Sequence, residues 1–162
     1  MEKESVAYGR LFARIAEVYL STLSRKVEPF GLDRYFTALL YIVKYSGTIT
    51  QKQLGKLLKK DKVSVLRSVN HLCDLGLVIK KQNENDKREH FLAASVKAVK
   101  LAPIILQSIE ETNAIFFNNF QQNELTNFKS GLAKLMETAD KMPSPDFIIR
   151  AEKKKNLVFE NE

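Results

Sequence analysis

The stretch "DKVSVLRSVNHL", residues 61–72, decides the fold. If it is helical, Val65, Val69 and Leu72 share one face, because residues three and four apart lie on the same side of an α-helix. We predict that this apolar face packs on a core and that the opposite face points outward. That opposite face carries one arginine and short polar side chains, with no carboxylate among them: Ser64, Arg67, Ser68 and His71.

The flanking residues predict where this helix and its neighbours begin and end. Asp61 is a good N-cap, and Gly76 is placed to end the helix as its C′ residue. Upstream, Thr50 is expected to cap a second short helix, "QKQLGKLLKK" (51–60). Downstream, a polar loop separates two β-favouring segments that predict a hairpin: "LVIKK" (77–81) and "HFLAA" (90–94).

Longer helices are predicted on both sides of this unit. Residues 5–28 show helical spacing, Asp33 is a candidate N-cap for a buried helix over 34–45, and Ser95 is expected to open a helical region reaching about residue 120. Pro103 lies inside that region and predicts a kink or break near 101–103. A last helix has apolar residues at steps of three and four, which is typical of a coiled-coil seam: Leu125, Phe128, Leu132, Leu135 and Ala139.

Composition narrows the class of protein. The 162 residues include 26 Lys and Arg against 19 Asp and Glu, a net charge of +7, which suits a polyanionic partner. One cysteine excludes an internal disulfide, and the charged start "MEKESVAYGRLF" does not fit a signal peptide. We expect a cytoplasmic protein with no membrane span, no metal site and no cofactor. No nucleophile–base pair or glycine-rich phosphate loop is visible, so we do not expect an enzyme.

Two short helices followed by a hairpin are the pattern of a winged helix-turn-helix, whose second helix enters the DNA major groove. The predicted fold class is therefore mainly α with a small β-hairpin wing, flanked by long helices. The outward residues of 61–72 would face the bases, and nearby lysines would meet phosphates. The basic residues on or beside this unit are Lys52, Lys56, Lys59, Lys60, Lys62, Lys80, Lys81, Lys87 and Arg88.

The same segment resembles the DNA-binding core of the MarR family of bacterial transcription regulators. "TQKQLGKLL" (50–58) is similar to the first helix of the family's motif, and residues 61–72 followed by "GLV" are similar to its recognition helix and exit. "NDKRE" (85–89) carries the D-x-R of the family's wing as Asp86 and Arg88. The resemblance covers roughly residues 31–97.

The resemblance implies a homodimer whose two winged domains read half-sites of a near-palindromic duplex DNA. Members are commonly repressors, and many leave DNA when a small, often phenolic, ligand binds. It also implies that Arg88 enters the minor groove and that Asp86 orients it. The recognition positions carried over from the family are Lys62, Val63, Ser64, Leu66 and Arg67.

The predicted organisation has four parts. Residues 1–30 would form an N-terminal dimerisation helix, 31–97 the DNA-binding domain and 98–142 the C-terminal dimerisation helices, while 143–162 form a tail without assignable structure. The predicted dimer interface is apolar and comprises Leu11, Ile15, Phe116, Phe117, Phe120, Phe128, Leu132 and Leu135. No ligand-binding residue is assigned.

Two features leave alternatives open. Val63 and Leu66 stand where the family usually has small polar residues, which favours a second hypothesis, a winged-helix dimer that binds a protein partner with weak or no specific DNA binding. Cys73 could sense oxidants, although its immediate neighbour, Asp74, is not a base that would activate a thiol, so an inert cysteine is favoured.

Overall fold

The computed structural model describes residues 7–82 and 90–143. In chain order these form α1 (Tyr8–Val27), a 3₁₀ turn (Glu28–Phe30), α2 (Phe36–Lys44), β1 (Ile49–Thr50), α3 (Gln51–Leu58) and α4 (Lys62–Asp74). They continue with β2 (Val78–Gln82), β3 (His90–Ala94), α5 (Val96–Phe116) and α6 (Gln122–Lys141). The mainly helical fold with a β-hairpin is confirmed.

The chain divides into two compact units. One is Ser21–Asn113, and the other joins Met1–Leu20 to Ala114–Glu162. The first unit contains α2, α3, α4 and all the described strands. The second contains α6, residues 8–20 of α1 and residues 114–116 of α5.

The strands of the first unit form an antiparallel sheet in the order β1-β3-β2. The two-residue β1 pairs Ile49 with Leu92, and β2 pairs Val78 with Ala94, so β3 is the central strand. Leu92 is fully buried, as are side chains from the surrounding helices. This core includes Leu39, Ile42, Leu54, Leu72 and Ile105.

The start of α2 corrects one prediction. Asp33 does not cap the helix, because α2 begins at Phe36 and Tyr35 stands at the N-cap position without a side-chain cap bond. Leu32 is fully buried, and its carbonyl accepts from the backbone N–H groups of Tyr35 and Phe36. This extra turn separates Asp33 from the helix start by three residues.

Of the kink or break predicted near 101–103, the break is wrong, since α5 runs through Pro103 from Val96 to Phe116. Leu101, Ala102 and Ile105 are buried on one side of the helix, while Pro103 is exposed on the other. A proline deprives the carbonyl four residues earlier of its donor. That residue is Val99, which is half exposed, so water can replace the lost bond. The predicted cap at Ser95 is confirmed, because its Oγ accepts from the Ala98 N–H at 3.2 Å.

Candidate nucleic-acid interface

Helix α3 is held by a capping box at its first turn. The Gln53 N–H donates to Thr50 Oγ1 at 3.3 Å, and the Thr50 N–H donates to Gln53 Oε1 at 2.8 Å. Thr50, which was also a candidate DNA-binding residue, is only 4% exposed, and its hydroxyl is engaged at the helix start. The predicted cap itself is confirmed.

A tight turn joins α3 to α4. Lys59 ends α3 in the left-handed conformation, at φ +50°. A Cβ on Gly55 would lie 3.3 Å from both the Lys60 carbonyl oxygen and Val65 Cγ2. The two helices therefore approach closely here, which fixes the direction in which α4 leaves the turn.

The start of α4 is capped by Asp61, as predicted. Its Oδ1 accepts from the Ser64 N–H at 2.9 Å, and its Oδ2 accepts from Ser64 Oγ at 2.6 Å. These bonds from Ser64 lower the pKa of the Asp61 carboxyl. The Ser64 hydroxyl is thus engaged within the cap, although it was predicted to be available at the outer face.

The buried face of α4 contains Val65, Val69 and Leu72, as predicted, but also Ser68. Ser68 is 5% exposed, and its Oγ donates to the Ser64 carbonyl at 2.9 Å. The prediction that Ser68 faces outward is wrong. A serine is small enough to pack at this position and satisfies its hydroxyl within its own helix.

His71 is also not a free outward side chain. Its Nε2 lies 2.7 Å from the Gly31 carbonyl oxygen, and its ring stacks on Tyr35 with centroids 4.2 Å apart. His71 is half-buried, so this prediction is corrected as well. The contact joins α4 to the segment between α1 and α2.

The outer face of α4 is therefore rotated by one residue from the predicted one. Val63 is 65% exposed and Leu66 is 42% exposed, and Lys62, Arg67 and Asn70 are exposed with them. An open groove runs along this face. Its lining consists of Tyr35, Val63, Leu66, Arg67, Asn70, His71 and Asp74.

Asn70 was missed by the sequence analysis. Its Oδ1 accepts from Lys80 Nζ at 2.8 Å, which ties the outer face of α4 to strand β2 of the hairpin. Asn70 lies three residues after Arg67 and seven after Val63, so helical spacing could have identified it had the face been centred on those residues.

Positive charge dominates the exposed surface around this face. Among the described residues Asp61 and Asp74 are the carboxylates on or beside α4, and Asp61 is engaged by Ser64. The exposed basic side chains of α3, α4, β2 and the turn between the helices are Lys52, Lys56, Lys59, Lys60, Lys62, Arg67, Lys80 and Lys81. The wing residues Asp86, Lys87 and Arg88 lie outside the described residues.

Cys73 has the character of an unreactive thiol. It is half-buried, and burial raises its pKa, opposed by Lys80 and assisted by Asp74. A thiol with a raised pKa forms little thiolate at neutral pH. Within 7–82 and 90–143, no three His, Cys, Asp or Glu residues are grouped to hold a metal ion.

The predicted dimer residues all fall in the second unit. No residue of α6 is buried there, and Phe128, Leu132 and Leu135 are 42–52% exposed. Leu11 and Ile15 of α1 are likewise about half exposed. The rings of Phe117, Phe120 and Phe128 pack together with centroids 5.4–5.8 Å apart.

The architecture around α4 is that of a winged helix-turn-helix protein. A family model described as "MarR family" matches residues 32–89. The HTH-type transcriptional regulator YwoH of Bacillus subtilis is 31% identical over 85 residues, which are 52% of this chain and 61% of YwoH. The chain thus spans less than two thirds of that relative.

Solved structures extend the likeness along the chain. A MarR family transcriptional regulator from Listeria monocytogenes, complexed with 26mer DNA, is 26% identical with a TM-score of 0.76, over 88% of this chain and all of that one. A MarR protein from Peptoclostridium difficile shares the fold with a TM-score of 0.80 at 24% identity, over 86% of this chain and 92% of that one. Over residues 32–89 this chain is therefore similar to the MarR family of transcriptional regulators, and it shares its fold with solved structures of that family. Its described helices contain no segment apolar and long enough to cross a membrane.

Proposed function

We propose that this chain is a sequence-specific DNA-binding transcriptional regulator that acts as a homodimer on a near-palindromic operator. The observation that carries the proposal is the outer face of α4. It is exposed, it bears Lys62 and Arg67, and the opposite face is seated on the core by Val65, Val69 and Leu72. A helix so mounted can enter a major groove, and the Listeria relative bound to DNA supports this placement.

The exposed lysines around the helix-turn-helix should supply much of the affinity for DNA through electrostatic attraction to phosphates. Each phosphate neutralised releases counterions, so the logarithm of the binding constant should fall linearly with the logarithm of salt concentration. Six to ten phosphate contacts correspond to a loss of about 10³–10⁵ in affinity between about 50 and 200 mM salt.

The exposed apolar surface of the second unit supports the homodimer. A helix with an apolar seam and no buried residue lacks the packing that stabilises most helices in globular proteins. Leu132 and Leu135 are suited to pack against a second copy. Sedimentation or light scattering should give a mass in solution twice that of one chain. The double variant Leu132→Lys, Leu135→Lys should have the mass of a single chain.

A repressor role and release by a small-molecule effector complete the proposal, and they rest on the family resemblance. Repression is tested by fusing the chain's own operator to a reporter and comparing expression with and without the protein. Release is tested by adding phenolic compounds to the protein–DNA complex and measuring dissociation.

The direct test of DNA binding is selection from a pool of random duplexes by the purified full chain, followed by a salt series on the selected sites. We expect an inverted repeat whose affinity falls steeply with salt. Arg67→Ala should lower affinity for that repeat. Lys134→Ala, which changes an exposed lysine of α6 outside the helix-turn-helix, should leave that affinity unchanged.

The exposure of Val63 and Leu66 favours one other function, a winged-helix dimer that docks on a protein. Under that alternative the selection would return no consensus. Loss of specific binding in Arg67→Ala, with the fold intact by circular dichroism, would speak against it.

A further inference from the structure

The outer face of α4 has an apolar centre near its N-terminal end. Val63 and Leu66 are 65% and 42% exposed, and both line the open groove along the helix. In a helix-turn-helix, the N-terminal residues of the recognition helix are those that meet base edges. These two side chains therefore lie where the proposed function requires contact with DNA bases.

The polar side chains of α4 are largely engaged within the protein. Ser64 is bonded to Asp61, Ser68 is buried, and His71 lies against the Gly31 carbonyl. The Asn70 carbonyl oxygen already accepts from Lys80, which ties this amide group to strand β2. Lys62 and Arg67 are the exposed basic side chains that remain beside Val63 and Leu66 on this face.

We infer that Val63 and Leu66 are specificity-determining residues that read thymine by contact with its 5-methyl group. This rests on the proposed function and deepens it. The thymine methyl is the apolar group that base edges present in the major groove, so exposed aliphatic side chains find their complement there. No carboxylate side chain occurs between residues 62 and 73 to oppose close approach to the phosphates.

The operator half-site should therefore contain one or two thymines beneath the first half of α4, beside the base pair that meets Arg67. Removing one methyl from such a contact should weaken binding about three- to tenfold, the range expected when one buried CH₂ or CH₃ group is lost.

The test uses the full chain and the inverted repeat recovered from random duplexes. Each thymine of a half-site is replaced in turn by deoxyuridine, which removes the methyl group and keeps the base pair. We expect wild-type affinity to fall at one or two positions. Val63→Ala should abolish the effect of deoxyuridine at one of these positions. Leu66 lies about one helical turn further along α4, so Leu66→Ala should abolish the effect at a neighbouring thymine, on the same strand or the opposite one.

Leu57→Ala is the matched control, because Leu57 lies on α3 and is 41% exposed, nearly the same as Leu66. This variant should keep the full sensitivity to deoxyuridine. All three variants change exposed side chains, and their thermal unfolding should confirm an intact fold.

The possible failures are distinguishable. If no consensus emerges from the selection, the proposed function is wrong and this inference falls with it. If a consensus emerges but it lacks thymine in the half-site, or deoxyuridine has no effect, or Val63→Ala and Leu66→Ala remain fully sensitive, the chain still reads DNA and the thymine inference alone is overturned.

Discussion

Replacing Leu72 by Ala probes the packing that orients α4. The Leu72 side chain is fully buried against the core of the first unit. Removing a buried leucine side chain costs the transfer free energy of the lost carbons and leaves a cavity, together about 2–5 kcal/mol. With a urea m-value of about 2 kcal/mol/M, a loss of about 3 kcal/mol moves the unfolding midpoint down by about 1.5 M.

Helical circular dichroism in urea measures this midpoint, since the chain has no tryptophan. All proteins must be compared at one concentration, because association changes apparent stability. Leu66→Ala is the matched control. Leu66 lies on the same helix but is 42% exposed, so its free energy of unfolding should change by less than about 1 kcal/mol. An equal or larger loss in Leu66→Ala would refute the assigned orientation of α4.

Four further changes test local features of the helix-turn-helix. Thr50→Ala should lower the free energy of unfolding by about 1 kcal/mol in the same urea assay, while Thr50→Ser keeps the cap. Gly76→Ala should also cost about 1 kcal/mol, because Gly76 has φ +67°, and Gly76→Asn should cost less. Arg67→Lys should retain the salt dependence of DNA binding but lose discrimination at one base pair, by about tenfold in a competition assay. Hydrogen bonds from Ser64 lower the pKa of the Asp61 carboxyl in the folded state. The stabilisation by this carboxylate is therefore fully present above the ordinary carboxyl pKa of about 4, and it is lost as pH falls through the lower pKa of the folded state. Asp61→Asn keeps a capping oxygen and should remove this part of the acid dependence in unfolding experiments between about pH 5 and 2.

The amino-acid sequence determined the elements of this protein and most of their boundaries. Asp61, Thr50 and Ser95 could be assigned as caps because a cap bonds to a backbone group three residues away, within the same helix turn. Gly76 could be assigned as the end of α4 because glycine tolerates the left-handed conformation. The buried stripe of Val65 and Val69 followed from helical spacing.

Only the tertiary structure decided how α4 is rotated. Ser68 faces the core and His71 meets the Gly31 carbonyl, 40 residues earlier in the chain, so the exposed face is centred on Val63, Leu66 and Arg67. Helical periodicity defines an apolar stripe but not its width, and small polar residues at the border can lie on either side. The Gly31 carbonyl that holds His71 is distant in sequence, so local spacing could not predict the orientation of this side chain.

The same reason explains the other corrections. Asp33 has the chemistry of a cap, but the burial of Leu32 inserts a turn before α2. Pro103 has the chemistry of a helix breaker, but its ring is exposed while Leu101 and Ile105 hold the helix on the core. The bond between Asn70 and Lys80 exists because the hairpin lies beside α4. Local chemistry sets what each residue can do, and packing between distant segments selects which of these possibilities is realised.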